Sequence, residues 1–190
     1  MALRGRDIFN KYKPILLFLS KVIKVLPLKL RIKLFVHCRN KKGLIGIGKR
    51  YIFLKSIAKK CGDNVSIHPD CYILFPEKLE IGDNVSIHPM SYIDAVGGLS
   101  IGNDVSIAHS VTIMTSSHHF DRHDIPIKDQ SFDVAKTEIG NDVWIGAKAT
   151  ILCGNNIGTG SVIGAGAIVT HSVEENTVNV GAPARAIKER

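Results

Sequence analysis

The amino-acid sequence predicts an all-β solenoid with a basic, helical appendage at its N-terminus, and three observations carry that prediction. From Cys61 onward an aliphatic residue, often followed by glycine, returns at every sixth position. Blocks of three such hexads begin at residues 61, 81 and 101, each offset from the last by 20 residues. Charge divides at the same place: residues 1–60 hold 17 Lys/Arg against the single acid Asp7, whereas residues 61–190 hold 8 Lys/Arg against 16 Asp/Glu. A basic front is thus joined to an acidic body inside a chain of net charge +8.

The front comes first in the chain. With 190 residues, 45% of them hydrophobic, the chain can bury a core, and its aliphatic content excludes intrinsic disorder. Its longest apolar stretch, Ile15 to Leu26, is cut by Lys21 and Lys24 and followed by Pro27, short of the roughly 20 residues that a membrane-spanning helix needs. No small-residue cleavage site follows it, so a secretory leader is not expected and the protein is placed in the cytoplasm. Cys38, Cys61, Cys71 and Cys153 form no C-x-x-C pair and read as reduced thiols, with Cys71 and Cys153 expected inside.

Ile8, Ile15, Leu16, Leu19, Val22, Ile23 and Leu26 approximate a helical stripe with lysines on the other faces, which predicts an amphipathic helix. After Pro27, residues 28–34 alternate strictly between apolar and basic, favouring a strand by period and leaving a second basic helix open. Residues 1–60 therefore read as a cap on the solenoid or as a segment held at an anionic membrane surface, two roles that are compatible. Nucleic acid is not expected, because no recognition motif accompanies the charge and aromatics are few.

The body, residues 61–178, is read from its inward positions: Cys61, Ile67, Ile73, then Ile81, Ile87, Ile93, then Ile101, Ile107, Ile113, and later Ile139, Ile145, Ile151, Ile157, Ile163, Val169. Each hexad makes one short strand and one turn, and each inward side chain stacks on its equivalent in the next rung. Small or β-branched residues four positions on, such as Val65, Val85, Val105, Ala149 and Ala167, suit cramped corners. Gly, Asn and Asp beside the inward residue, as in Ile-Gly-Asp-Asn at 81–84, are expected to supply turns with positive φ. No helical period appears between 81 and 170, which excludes a doubly wound α/β sheet. The step from 101 to 139 exceeds the others by roughly one rung, marking an insertion over about 115–137 rich in His118, His119, His123, Asp121, Asp124, Asp129 and Asp133.

Three further motifs sit on this repeat: Thr115-Ser116-Ser117-His118-His119-Phe120-Asp121 opening the insertion, Ile139-Gly140-Asn141-Asp142-Val143-Trp144-Ile145-Gly146-Ala147 closing it, and the tail Asn179-Val180-Gly181-Ala182-Pro183-Ala184-Arg185-Ala186-Ile187 within residues 179–190. With them the sequence from residue 61 onward resembles the hexapeptide-repeat acyltransferases. The likeness is to the branch with galactoside and maltose acetyltransferases and the O-acetyltransferases of bacterial surface polysaccharide synthesis. The resemblance implies a left-handed parallel β-helix, a homotrimer, acetyl-CoA as acyl donor, a carbohydrate acceptor and no metal.

It also implies site residues. His118 aligns with the family's catalytic histidine, and neutral imidazole suits removal of a sugar hydroxyl proton near pH 7. His119 is its competitor. Asp94, one rung before His118, corresponds to an acceptor site, where it orients the base or binds the sugar; the alternative is a corner Asp capping the Gly97 or Gly98 amide. His88 stands where the sugar acetyltransferases place a substrate-binding Asn, a departure at the acceptor site. For the donor, the resemblance places Ala147 at the thioester end, Ala165 and Thr170 along the pantetheine arm, and Arg185 and Lys188 at the phosphates, in a groove between two subunits. The last two have independent support, since phosphates demand cations and arginine offers a bidentate fork. Trp144, the only tryptophan, either flanks the site or anchors the insertion, and anchoring is favoured.

Three rival readings remain. The same fold could acetylate an amino sugar on nitrogen. His118 and His123, with His88 as third ligand, could hold zinc in a carbonic anhydrase-like site, which needs three histidines around one open position. The chain could also be a non-catalytic, membrane-associated scaffold, which leaves the histidine-rich insertion without a purpose.

Overall fold

The computed structural model describes residues 5–190. Three helices, α1 (Gly5–Ile23), α2 (Leu28–His37) and α3 (Gly43–Ile57), precede a left-handed parallel β-helix of about six turns. Its three faces are parallel sheets. The first runs through Lys60–Cys61, Leu79–Ile81, Leu99–Ile101 and Thr137–Ile139. The second runs through Ser66–Ile67, Ser86–Ile87, Ser106–Ile107, Trp144–Ile145, Val162–Ile163 and Thr177–Val180, and the third through Tyr72–Leu74, Tyr92–Asp94, Thr112–Ile113, Thr150–Ile151 and Ile168–Val169.

The register follows the hexad. Ile81 pairs with Ile101 and Ile101 with Ile139; Ile87 with Ile107, Ile145 and Ile163 in turn; Ile93 with Ile113, Ile151 and Val169. All of these side chains are buried, as are the corner residues Val65, Val85, Val105, Ala149 and Ala167, so the core is one column of stacked aliphatic residues. Side chains alternate between inside and outside along a strand, which is why one inward residue per hexad suffices.

The turn between the first and second faces departs from expectation in one respect. Positive φ falls on Asn64, Asn84, Asp104 and Asp142, not on the glycine two positions before each. The glycines serve close approach instead: a β-carbon on Gly102 would lie 2.6 Å from the Gly140 carbonyl oxygen of the next rung. Beside them a side-chain ladder ties rung to rung. The Asp63 amide donates to Asp83 Oδ1 (2.7 Å), Asp83 to Asn103 Oδ1 (2.8 Å) and Asn103 to Asn141 Oδ1 (2.8 Å).

Residues 28–34 are helical, which settles the open choice. Lys29 and Lys33 stay exposed while Ile32 is half-buried and Phe35 buried, so the segment buries a face of helical spacing. Helix α3 closes the open end of the solenoid: Tyr51, Leu54 and Ile57 join the same apolar core as Ile67 and Ile81. Arg50 fixes this seam. Its buried guanidinium donates to the carbonyls of Ile67 (2.7 Å), Cys38 (2.8 Å), Arg39 (3.1 Å) and Lys41 (2.7 Å). At the other end the strand Arg185–Glu189 pairs antiparallel with Thr177–Val180. The loop between them covers the last strand of the third face, with Ile168 N–H donating to Gly181 and Ala184 N–H to Ile168. Cys71 and Cys38 are buried, whereas Cys153, expected inside, sits half-buried beyond the last residue of a third-face strand. Burial pushes the pKa of the Cys61 thiol up to about 12.

Candidate active site

The insertion leaves the solenoid at the corner between the third and first faces, after Thr112–Ile113 and before Thr137–Ile139. It folds as a β-hairpin. Ser116–His118 pairs antiparallel with Phe132–Val134, placing Ser116 opposite Val134, Ser117 opposite Asp133 and His118 opposite Phe132. Two buried polar residues to which the sequence assigns no role brace its base and its tip. At the base Thr115 Oγ1 donates to the Asp94 carbonyl (3.0 Å) and accepts from the Gly97 amide (2.9 Å). At the tip Gln130 clasps the Arg122 backbone, accepting from its N–H (3.2 Å) and donating to its carbonyl (2.7 Å).

Asp94 is the carboxylate at the foot of this hairpin. It is buried; its Oδ2 accepts from Ser116 Oγ (2.8 Å) and its Oδ1 from the Val96 amide (3.0 Å). The amide it caps is that of Val96, not that of Gly97 or Gly98. His118 lies two residues beyond Ser116, exposed, with its ring 6.0 Å from that of Phe132. Among the described residues no side chain hydrogen-bonds the His118 imidazole. His119 differs: its Nε2 lies 3.0 Å from Asp133 Oδ1, tying it across the hairpin.

His88 sits on another corner, between the second and third faces, where its ring stacks on that of His68 (4.6 Å between centroids, 8° between planes). Burial first, and His88 second, pull the His68 imidazole below its ordinary pKa. Ala147 and Ala165 follow on the same corner in later rungs, one rung apart, as the pairing of Ile145 with Ile163 requires. Small neighbours keep this corner open: a β-carbon placed on Gly166 would meet no atom within 4 Å. Arg185 lies just beyond, opposite Val180, and is exposed; its Nη1 donates only to the Ala184 carbonyl (2.9 Å). Lys188, opposite Val178, makes no ion pair among the described residues.

Thr170 does not join this line. It follows Val169 at the end of the third face, on the corner that carries Asp94 and the hairpin, with Oγ1 2.9 Å from His171 Nδ1. The structure thus divides the site residues between two edges of one face: His118, Asp94 and Thr170 on one edge, His88, Ala147, Ala165 and Arg185 on the other. Trp144 requires a correction. It lies on the outer side of the second face, 56% exposed, and does not anchor the insertion, which leaves from the opposite corner. Nor does the fold gather His88, His118 and His123, and among the described residues no group of three His, Cys, Asp or Glu side chains could hold a metal ion.

The chain thus carries a histidine-bearing hairpin on one edge of a triangular solenoid and a line of small residues ending in Arg185 on another. No family model matches the chain. Galactoside O-acetyltransferase of Escherichia coli is 32% identical over 161 residues, covering 85% of this chain and 78% of that protein. A Mycobacterium tuberculosis protein described as "probable acetyltransferase" is 41% identical over 73 residues, 38% of this chain, and the match spans only 24% of that longer protein. Among solved structures, a galactoside acetyltransferase in complex with coenzyme A superposes with a TM-score of 0.76 at 32% identity, covering 85% of this chain and 80% of that one. The chain belongs to the hexapeptide-repeat acetyltransferases, of the galactoside O-acetyltransferase type.

Proposed function

We propose that this protein is a cytoplasmic, homotrimeric O-acetyltransferase that moves acetyl from acetyl-CoA to a hydroxyl of a surface-polysaccharide sugar or its precursor. The observation that carries the reading is His118, an exposed imidazole, unpaired among the described residues, on a hairpin pinned at its foot by buried Asp94. In this role the imidazole takes the hydroxyl proton as the sugar oxygen attacks the thioester carbonyl carbon. The carbon–sulfur bond then breaks, and the proton passes from imidazolium to the departing thiolate. No covalent enzyme intermediate is needed.

Donor and acceptor are assigned to the other edge. The open corner at Ala147 and Ala165 leaves room for a pantetheine arm, Arg185 and Lys188 supply cations for phosphates, and His88 faces the acceptor. Because His118 and His88 sit on different edges of one chain, a complete site calls for a second copy set side by side, the hairpin of one against the small-residue edge of the next. Thr170, on the hairpin edge, then contacts the donor from the hairpin-bearing copy. In this division of labour residues 61–178 form the catalytic solenoid and residues 179–190 its phosphate-binding tail.

His118→Ala tests the reading. The variant should retain its fold and bind coenzyme A as before by calorimetry, while acetyl transfer falls by about 10²–10⁴-fold. Unaltered transfer would remove His118 as the base.

A further inference from the structure

Helix α1 is apolar on two opposite sides. One side, with Phe9, Leu16 and buried Ser20, packs toward α3 and the core. The other carries Ile15, Phe18 and Val22, continued by Val25 in the following turn, and these side chains are 51–86% exposed. Their spacing of three, four and three residues keeps them on one stripe. Lys11, Lys21 and Lys24, all exposed, flank that stripe. A groove of about 1300 Å³ opens beside it between α1 and the second face, with Leu44 and Ile45 of α3 exposed on its rim. A helix with apolar residues on its outer side needs something to cover them.

The charge pattern says what that cover is. Between Asp7 and Asp63 the chain contains no acidic residue at all, yet it carries 15 Lys/Arg. Two copies meeting through this face about a two-fold axis would bring cation against cation, and the side-by-side contact proposed for the acetyl-transfer site uses the solenoid edges instead of this face. An exposed aliphatic stripe is equally unsuited to a sugar–phosphate backbone, which is gripped by polar and charged groups. A surface both apolar and cationic matches the interface of an anionic bilayer, where the stripe enters the acyl boundary and the lysines meet phosphate groups. We infer that the outer side of α1, with the lysines beside it, docks this enzyme on anionic lipid. The docking surface is separate from the acetyl-transfer site and stands or falls independently of it.

The test is sedimentation of the full-length protein with vesicles of phosphatidylcholine alone or mixed with phosphatidylserine. Binding is expected to the anionic vesicles only, weakening as salt rises. Lys21→Gln and Lys24→Gln should each lower partitioning about fivefold, and Phe18→Ser with Val22→Ser by at least about tenfold. These positions are solvent-facing, so circular dichroism and transfer to a soluble acceptor should be unchanged. No binding to anionic vesicles, or binding indifferent to Phe18 and Val22, overturns the inference. So does a change in sedimentation-velocity mass of the Phe18/Val22 variant without lipid, which would give this face to a second copy.

Discussion

Replacing Asp94 with alanine separates two uses of one carboxylate. In the structure it is buried and holds two donors, Ser116 Oγ at 2.8 Å and the Val96 amide at 3.0 Å. A hydrogen bond to a charged acceptor contributes about 1.5–3 kcal/mol, and the donors left behind are themselves half-buried. The expected loss is therefore about 3–5 kcal/mol, or roughly 6–20 °C in Tm for a chain of this size. Because Ser116 stands two residues from His118, the hairpin should shift, and a displacement of about 1 Å in a catalytic group costs roughly 10²-fold in kcat. Asp94→Asn keeps one acceptor oxygen and should lose about half as much stability. The assays are thermal unfolding and steady-state kinetics with the acceptor varied. An unchanged Tm with a raised acceptor KM would refute the anchoring argument and make Asp94 a sugar ligand.

Two other outcomes follow from buried groups. Arg50→Leu removes four hydrogen bonds from the seam between α3 and the first rung and strands their carbonyls; denaturant titration should show a loss of about 3–5 kcal/mol, comparable to breaking a buried charged network. His68, whose folded-state pKa is lowered by burial and by His88, contributes stability that is complete above its unfolded value, near 6.5. That contribution is lost progressively as pH falls through the unfolded value toward the folded one. The decline in Tm between pH 7 and pH 5 should accordingly be shallower in His68→Gln than in the unaltered protein.

The solenoid is legible because a rung is a local unit: each hexad states its inward residue, and Ile81, Ile101 and Ile139 meet in the structure as their spacing requires. Helix α3 is not legible. Its segment carries Gly46 and Gly48, poor helix formers, and is buried on several sides, so Tyr51, Leu54 and Ile57 leave no polar stripe to betray a period. Residues 28–34 mislead for the converse reason, since short alternation satisfies a strand while Ile32 and Phe35 also satisfy a helix. At the candidate site, the motif that opens with Thr115 and Ser116 marks out His118, but not the bonds that support the hairpin carrying it. Thr115, Ser116 and Gln130 are ordinary polar letters until the hairpin folds and Asp94 comes beneath them from the preceding rung. Trp144 goes astray because period alone does not say which corner an insertion leaves from.

The closed ends of the solenoid govern how copies of this protein can meet. A parallel β-helix with bare ends would template further rungs from another chain, the same hazard that any unpaired strand edge presents. Here α3 sits on the first rung, and the returning strand Arg185–Glu189 with its loop covers the last strands of two faces. Axial growth through these strands is thereby obstructed, and the lateral surfaces of the solenoid are left open to another copy. Lateral contact is also what the proposed two-copy site requires, with the hairpin edge of one copy against the small-residue edge of another, and the returning strand leaves that contact free.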